Sequence, residues 1–306
     1  MRVVFFGSNS FSIPFLDAVK DNVVLVVTTT DKVSGRGNKV IQNPVKEFSK
    51  SKAIEVISVR KFDEEVAASI KNSIPDSFVV VSFGKIIPPY ILNIVDCSVN
   101  VHPSRLPLYR GAAPIERQIM DGVTESAVSI IKVSSELDAG DVIVSTPLKI
   151  YFYDTRETVE KRIFEIGIPL LKKTLSLIEK GNYEGIPQEG SSTYAKKITK
   201  KDELIDWSKD SLLIYNAIRA LSPRPLAYAC FRSHILKIAS AEPVDEDYEY
   251  HAGEICEVEK DFFVVKCGKG ALKIIEVIPE GKKRMFVRDF INGYRIIKGE
   301  KLEGLK

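Results

Sequence analysis

Two short segments of this chain hold side chains whose types and spacing suit acyl and proton transfer. In Asn100-Val101-His102-Pro103-Ser104, Asn100 and His102 stand two residues apart. On a strand such residues face the same side, so the amide and the imidazole project together at the strand's carboxyl end. An amide N–H beside an imidazole suits a carbonyl oxygen that is gaining negative charge, and the imidazole can also move a proton near neutral pH. A buried, hydrogen-bonded Asn-His pair closing a strand fits the same residues, and the pair alone leaves both readings open. The second segment, Glu136-Leu137-Asp138-Ala139-Gly140-Asp141, follows the apolar run Val128 to Val133. If that strand runs parallel to its neighbours, a carboxylate here lies on the same edge, where it would orient the imidazole and steer a water. Turn formation is the plainer role for Asp-Ala-Gly-Asp. Spacing does not choose between Asp138 and Asp141.

The elements that must position these groups alternate strand and helix. Val3 to Phe6 is a continuous apolar run ending at Gly7, as expected of a strand buried on both faces, and Val23 to Val27 is a second. Between them Ile13, Phe15, Leu16 and Val19 mark one helix face, with Ser12 placed as its cap and Pro14 in its first turn. Phe78 to Val81, Ser98 to Val101 and Val128 to Val133 read as further strands, with helices over Asp63 to Asn72 and Pro114 to Asp121. This order needs crossover connections and predicts an α/β fold with a Rossmann-like, mainly parallel sheet that takes ligands beyond its strands' carboxyl ends. A long helix from Thr155 to Lys180 follows, with Asp154 and Glu157 at capping-box spacing, a kink at Pro169 and Gly181 as its stop. Beyond a polar stretch, Ser208 reads as the cap of another helix, and five short β-rich pieces between Leu226 and Val277 predict a small C-terminal β-barrel. The domains divide as 1–184, a linker over 185–204, and 205–306.

Composition excludes several classes. Of 306 residues, 44% are hydrophobic and 28% charged, which is ordinary for a globular chain and too apolar for disorder. The four cysteines form no CxxC pair, so neither a disulfide framework nor zinc spacing is present, and no metal is expected. No apolar run approaches a membrane span, and the N-terminus lacks a signal peptide's apolar region, so a cytoplasmic protein with no membrane partner is expected. Gly7 is the only glycine in the first strand-to-helix turn, which excludes the three-glycine dinucleotide fingerprint, and no P-loop, HExxH or GxSxG occurs.

Further motifs then form an ordered series. His102-Pro103-Ser104-Arg105-Leu106-Pro107, Tyr109-Arg110-Gly111-Ala112-Ala113-Pro114-Ile115 and Leu137-Asp138-Ala139-Gly140-Asp141 resemble the signature of formyltransferases that use 10-formyltetrahydrofolate. Gly35-Arg36-Gly37, Ser82-Phe83-Gly84-Lys85-Ile86-Ile87-Pro88, Ile205-Asp206-Trp207-Ser208, Ile218-Arg219-Ala220-Leu221 and Gly281-Lys282-Lys283-Arg284-Met285 extend the resemblance over nearly the whole chain, toward the branch acting on initiator methionyl-tRNA. Arg105 and Phe83 depart from the usual leucine and tyrosine. The resemblance implies a catalytic triad of Asn100, His102 and Asp138, which singles out Asp138. It implies folate contacts from Ser104, Arg105, Leu106 and Pro107, with Phe83, Gly84, Ile86, Ile87 and Pro88 forming a wall. It also implies an OB-like C-terminal barrel that binds tRNA.

The implied reaction is transfer of a formyl group from 10-formyltetrahydrofolate, as co-substrate, to the α-amine of methionyl-initiator tRNA, and a monomer is expected. The alternative acceptor is a nucleotide-linked amino sugar. The early basic segment Asp31 to Asn38, with Lys39, is by itself a solvated loop; in the resembling enzymes it enters the acceptor stem, which marks Lys32, Arg36 and Lys39 for tRNA. The second half is unevenly charged: nine acids against one lysine over 242–261, then ten bases against four acids over 266–301. A basic face there, including Lys282, Lys283 and Arg284, would hold phosphates without reading sequence.

Overall fold

The computed structural model describes residues 1–34, 39–246 and 248–304. The chain forms two compact units. One comprises Met1–Pro114, Glu125–Lys149 and Glu160–Ala195; the other comprises Ile115–Thr124, Ile150–Val159 and Lys196–Lys306. Residues 185–204 hold a two-residue strand, Tyr194–Ala195, and a short helix, Lys200–Glu203.

The first unit is built on seven strands: β1 Val3–Gly7, β2 Val23–Thr29, β3 Val56–Val59, β4 Ser77–Val81, β5 Cys97–His102, β6 Glu125–Lys132 and β7 Val142–Lys149. Their order is β7-β6-β5-β4-β1-β2-β3. The five strands β3, β2, β1, β4 and β5 are parallel. Helices α1 Ile13–Val19, α2 Pro44–Ser51 and α3 Glu64–Asn72 fall between the early strands. Val3, Val4, Phe5 and Phe6 are all fully buried, which is why β1 reads as an unbroken apolar run rather than an alternating one.

The strand preceding Asp138 corrects the sequence expectation. β6 runs antiparallel to β5, with His102 opposite Ser129 and Val99 opposite Lys132. Residues 103–124 spend their length on the loop after His102 and on one short helix, α4 Pro114–Met120. The chain therefore re-enters the sheet from the end it left, which makes the pair antiparallel. Two caps also differ. Ser12 has helical backbone and its hydroxyl turns back to donate to Asn9 O (2.7 Å). The long helix, α5 Arg156–Glu179, starts one residue later than the Asp154 cap requires; Thr155 and Thr158 cap each other, through Thr155 N to Thr158 Oγ1 (3.0 Å) and Thr158 N to Thr155 Oγ1 (3.4 Å). α5 runs continuously through Pro169, and Gly181 ends it at φ +74°.

The second unit contains α6 Ser211–Ala220 and the strands β8 Ala227–Phe231, β9 His234–Val244, β10 Ile255–Val258, β11 Phe263–Lys266 and β12 Ala271–Pro279, followed by β13 Met285–Phe286, α7 Val287–Tyr294 and β14 Leu302–Glu303. The cap of α6 is Asp210, whose carboxylate accepts from Leu212 N at 2.9 Å; Ser208 instead donates to Asp206 (2.6 Å). The antiparallel order is β10-β11-β12-β9-β8-β14, with β13 beside β12. The C-terminal segment closes this curled sheet: Ile255 N donates to Glu300 O and Leu302 N to Gly253 O, both at 2.8 Å, joining β10 to the chain that pairs with β8. Trp207 lies in the core so formed with Ile214, Ile238, Phe263, Ile274 and Phe290.

Candidate active site

The candidate site is carried entirely by the first unit, on β5 and the loops that follow β4, β5 and β6. Asn100 and His102 lie on one face of β5. The loop after β6 brings Asp138 back to them. Asn100 Nδ2 donates to Asp138 Oδ1 at 3.0 Å, and His102 Nδ1 faces Asp138 Oδ2 at 3.5 Å. His102 Nε2 lies 2.9 Å from the carbonyl of Tyr109. A carbonyl only accepts, so Nε2 carries a proton in this contact. Gly111 N supplies a further donor to Asp138 Oδ2 at 2.8 Å. The His102 and Asp138 side chains are 4% and 11% exposed, which shields their interaction from water.

Backbone conformation explains how the carboxylate reaches this place. Asp138 has φ +50°, a left-handed conformation that aspartate tolerates better than bulky residues. Two residues on, a Cβ on Gly140 would stand 1.8 Å from Lys132 O. Only glycine lets the loop fold this tightly against the end of β6, where Lys132 N donates to Asp141 O (2.9 Å). The Asp-Ala-Gly-Asp segment is thus both a turn and the carrier of the carboxylate that meets Asn100 and His102. Asp138, not Asp141, faces Asn100 and His102; the Cβ of Asp141 packs instead against Gly185.

The residues expected to line a folate pocket occupy two loops that leave adjacent parallel strands, β4 and β5. In the first, Phe83 (2% exposed) and Ile87 (6%) are buried in the core, where the Phe83 ring meets Phe6 at 5.4 Å, while Ile86 is 83% exposed and Gly84 turns outward at φ +73°. Ser8 Oγ fixes this loop by donating to Phe83 O (2.6 Å). Pro88 is half-buried. In the second loop Ser104 is fully buried and donates to Leu108 O (2.6 Å), so its hydroxyl shapes the turn; Arg105 is exposed, and Leu106 and Pro107 are half-buried. Ser129 Oγ donates to Ser104 O (2.8 Å), tying the turn to β6.

Of the residues expected to meet RNA, Arg36 lies outside the described residues. Lys32 and Lys39 belong to two short strands, Lys32–Ser34 and Lys39–Ile41, which pair antiparallel. Lys282 and Lys283 are exposed, whereas Arg284 is exposed but paired with Glu276. The sequence reading did not find Gly111 N, Tyr109 O or Gln188, whose side-chain amide donates to Asp138 O at 2.9 Å, among the partners of these groups. Backbone groups leave no residue-type signal, and Gln188 stands in a stretch with no periodicity.

The chain matches the formyl transferase family over residues 1–175 and that family's C-terminal domain over residues 197–295. It belongs to the formyltransferase family. A methionyl-tRNA formyltransferase of Dictyoglomus turgidum is 42% identical over 312 residues, covering 99% of each chain. Among solved structures, a HypX protein of Aquifex aeolicus in complex with tetrahydrofolic acid superposes with TM-score 0.67 at 16% identity over 98% of this chain and 48% of its own. A methionyl-tRNA formyltransferase from Clostridium thermocellum superposes with TM-score 0.56 at 22% identity over 81% of this chain and 95% of its own. The family's N-terminal region encloses every residue from Asn100 to Asp138.

Proposed function

We propose that this formyltransferase moves the formyl group of 10-formyltetrahydrofolate to the free α-amine of methionyl-initiator tRNA, acting as a monomer in the cytoplasm. The observation that carries the reading is the meeting of Asn100, His102 and Asp138, in a chain 42% identical end to end to a methionyl-tRNA formyltransferase. Among the described residues no cluster of metal-ligating side chains occurs and no helix is long and apolar enough to cross a membrane.

The family's donor supplies a formyl carbon already bonded to a nitrogen leaving group. The two loops after β4 and β5 suit a flat heterocycle: Ile86 offers exposed apolar surface, and the buried Phe83, Ile87 and Ser104 hold the loops in shape beneath it. Asn100 commits one N–H to Asp138, which orients the amide and leaves its second N–H to donate to an oxygen gaining charge. The new bond from the amine to the formyl carbon forms as the bond to the donor nitrogen breaks. His102, with Asp138 facing Nδ1 and stabilising positive charge on the ring, helps pass the amine's proton to that departing nitrogen. The reacting groups lie within residues 1–184, the chain runs through 185–204 toward the C-terminal part, and the basic residues of 205–306 hold tRNA with Lys32, Arg36 and Lys39.

Transfer of labelled formyl to methionyl-tRNA tests the reading. Wild type is expected to transfer, His102→Ala to lose at least about 100-fold in kcat, and Arg36→Ala to raise KM for tRNA selectively. Absence of transfer to tRNA, with formylation of a nucleotide-linked amino sugar instead, would overturn the acceptor while keeping the chemistry.

A further inference from the structure

Residues 185–195 carry no residue pattern that points to chemistry, yet they strap the candidate site together. At one end Ile186 exchanges two backbone hydrogen bonds with Val142, the first residue of β7, at 2.8 and 2.9 Å. Gly185 packs so closely on this loop that a Cβ there would lie 2.5 Å from the Cβ of Asp141. At the other end Thr193 O accepts from Arg110 N (2.9 Å), Thr193 Oγ1 accepts from Tyr109 N (2.8 Å), and Ala195 O accepts from Ala112 N and Ala113 N (3.0 and 3.2 Å). One segment is therefore fastened both to the strand after Asp138 and to the loop after His102.

Gln188 lies between these fastenings. Its Nε2 donates to Asp138 O (2.9 Å) and Gly140 O (2.8 Å), and its Oε1 accepts from Arg110 Nε (3.1 Å) and Nη2 (2.7 Å). Only this orientation of the amide pairs every donor with an acceptor, and it uses both hydrogens and both lone pairs. Arg110 in turn precedes Gly111, whose N–H donates to the Asp138 carboxylate. A closed circuit results: the Gln188 amide, the Asp138–Gly140 backbone, the Asp138 carboxylate, Gly111 and Arg110.

We propose that Gln188 is a positioning residue for formyl transfer: it fixes the loop that aims Asp138 at Asn100 and His102, and makes 185–195 part of the reacting site's scaffold. This rests on Asp138 belonging to the reacting site. Among the described residues, no other side chain is seen to bond both to Arg110 and to the Asp138–Gly140 backbone. Glutamate keeps the Arg110 arm but sets a carboxylate oxygen against two carbonyl oxygens. Asparagine is one methylene too short to span both, and methionine matches the length with no donor.

Steady-state formyl transfer by the full chain tests this. Gln188→Glu and Gln188→Met are each expected to lower kcat about 10- to 100-fold, with KM for tRNA and folate changed less than about twofold, because the groups displaced act on the reacting centre rather than on binding. Gln188→Met is the second variant should the half-buried charge of Gln188→Glu prevent folding. In an Asp138→Asn background the Gln188→Met change should cost less than about threefold more, since it acts through a group already lost. Amide hydrogen exchange over residues 138–141 should quicken at least about tenfold in Gln188→Met while exchange in β1 stays as in wild type. Wild-type kcat in both Gln188 variants, or a full multiplicative loss on top of Asp138→Asn, overturns the proposal. Full activity of Asp138→Asn itself overturns the site reading beneath it, which separates the two failures.

Discussion

Asp138→Asn is the sharpest perturbation of the site because it changes charge with almost no change of shape. In the wild type the carboxylate accepts from Asn100 Nδ2 (3.0 Å) and Gly111 N (2.8 Å) and faces His102 Nδ1 at 3.5 Å. Hydrogen bonds to a charged group contribute about 1.5–3 kcal/mol each. The attraction between a carboxylate and an imidazolium at this separation is about 5 kcal/mol for an effective dielectric near 20, an upper figure because the asparagine dipole retains part of it. The variant must also turn its NH2 group toward one of three donors, since Asn100, Gly111 and a protonated His102 all offer hydrogens. A loss of about 3–4 kcal/mol in the transition state follows, or roughly 100- to 1,000-fold in kcat. The assay is single-turnover transfer of labelled formyl to methionyl-tRNA with enzyme in excess, and circular dichroism confirms that the variant is folded. Asp141→Asn is the internal control. Its Cβ packs against Gly185, and among the described residues Asp138 rather than Asp141 bonds to Asn100 and faces His102, so a change under about threefold is expected. If folded Asp138→Asn retains more than a tenth of wild-type turnover, or Asp141→Asn loses as much as Asp138→Asn, the assignment of the carboxylate is wrong.

Three further outcomes follow from the structure. Gly140→Ala must displace either the loop or Lys132 O, which a Cβ would meet at 1.8 Å; it should cost about 2 kcal/mol or more in stability and lower kcat at least about tenfold, read by thermal melting and turnover. Asp202 is held down at about 2 by the Arg117 guanidinium (2.7 Å), with Thr199 assisting. Its folded value lies below the ordinary 3.8, so its contribution, about 1–2 kcal/mol after allowance for partial exposure, is present above pH 4 and fades as pH falls toward 2. Denaturant unfolding should accordingly show Asp202→Asn less stable than wild type at pH 7 and nearly equal to it at pH 2. Burial pushes the thiols of Cys97 and Cys256 up to about 11 and Cys267 to about 12, while Cys230 is half-buried. A thiol reagent at pH 8 should label one cysteine in the native chain and four after unfolding; rapid native labelling of Cys267 would contradict this burial.

The amino-acid sequence alone determined the alternation of strand and helix, because strands buried on both faces must be apolar throughout and β1 is legible as such a run. It also determined that Asn100 and His102 share a side, since a two-residue spacing on a strand admits no other arrangement. The turn-forming Asp-Ala-Gly-Asp segment was legible as a turn, and resemblance alone singled out Asp138. Other features were decided only in three dimensions. The direction of β6 depends on where the chain re-enters the sheet, which no local pattern encodes. The caps of α5 and α6 shifted by one or two residues because several adjacent side chains can cap and packing selects among them. Closure of the barrel rests on backbone hydrogen bonds from Gly299 to Leu302, a segment with no β-rich run. Gln188 belongs to the same class: its four hydrogen bonds join residues 48 to 78 positions away, and a contact between loops leaves no periodicity for the sequence to show. Local spacing set which groups could react, and long-range packing set which carboxylate meets them and what holds it there.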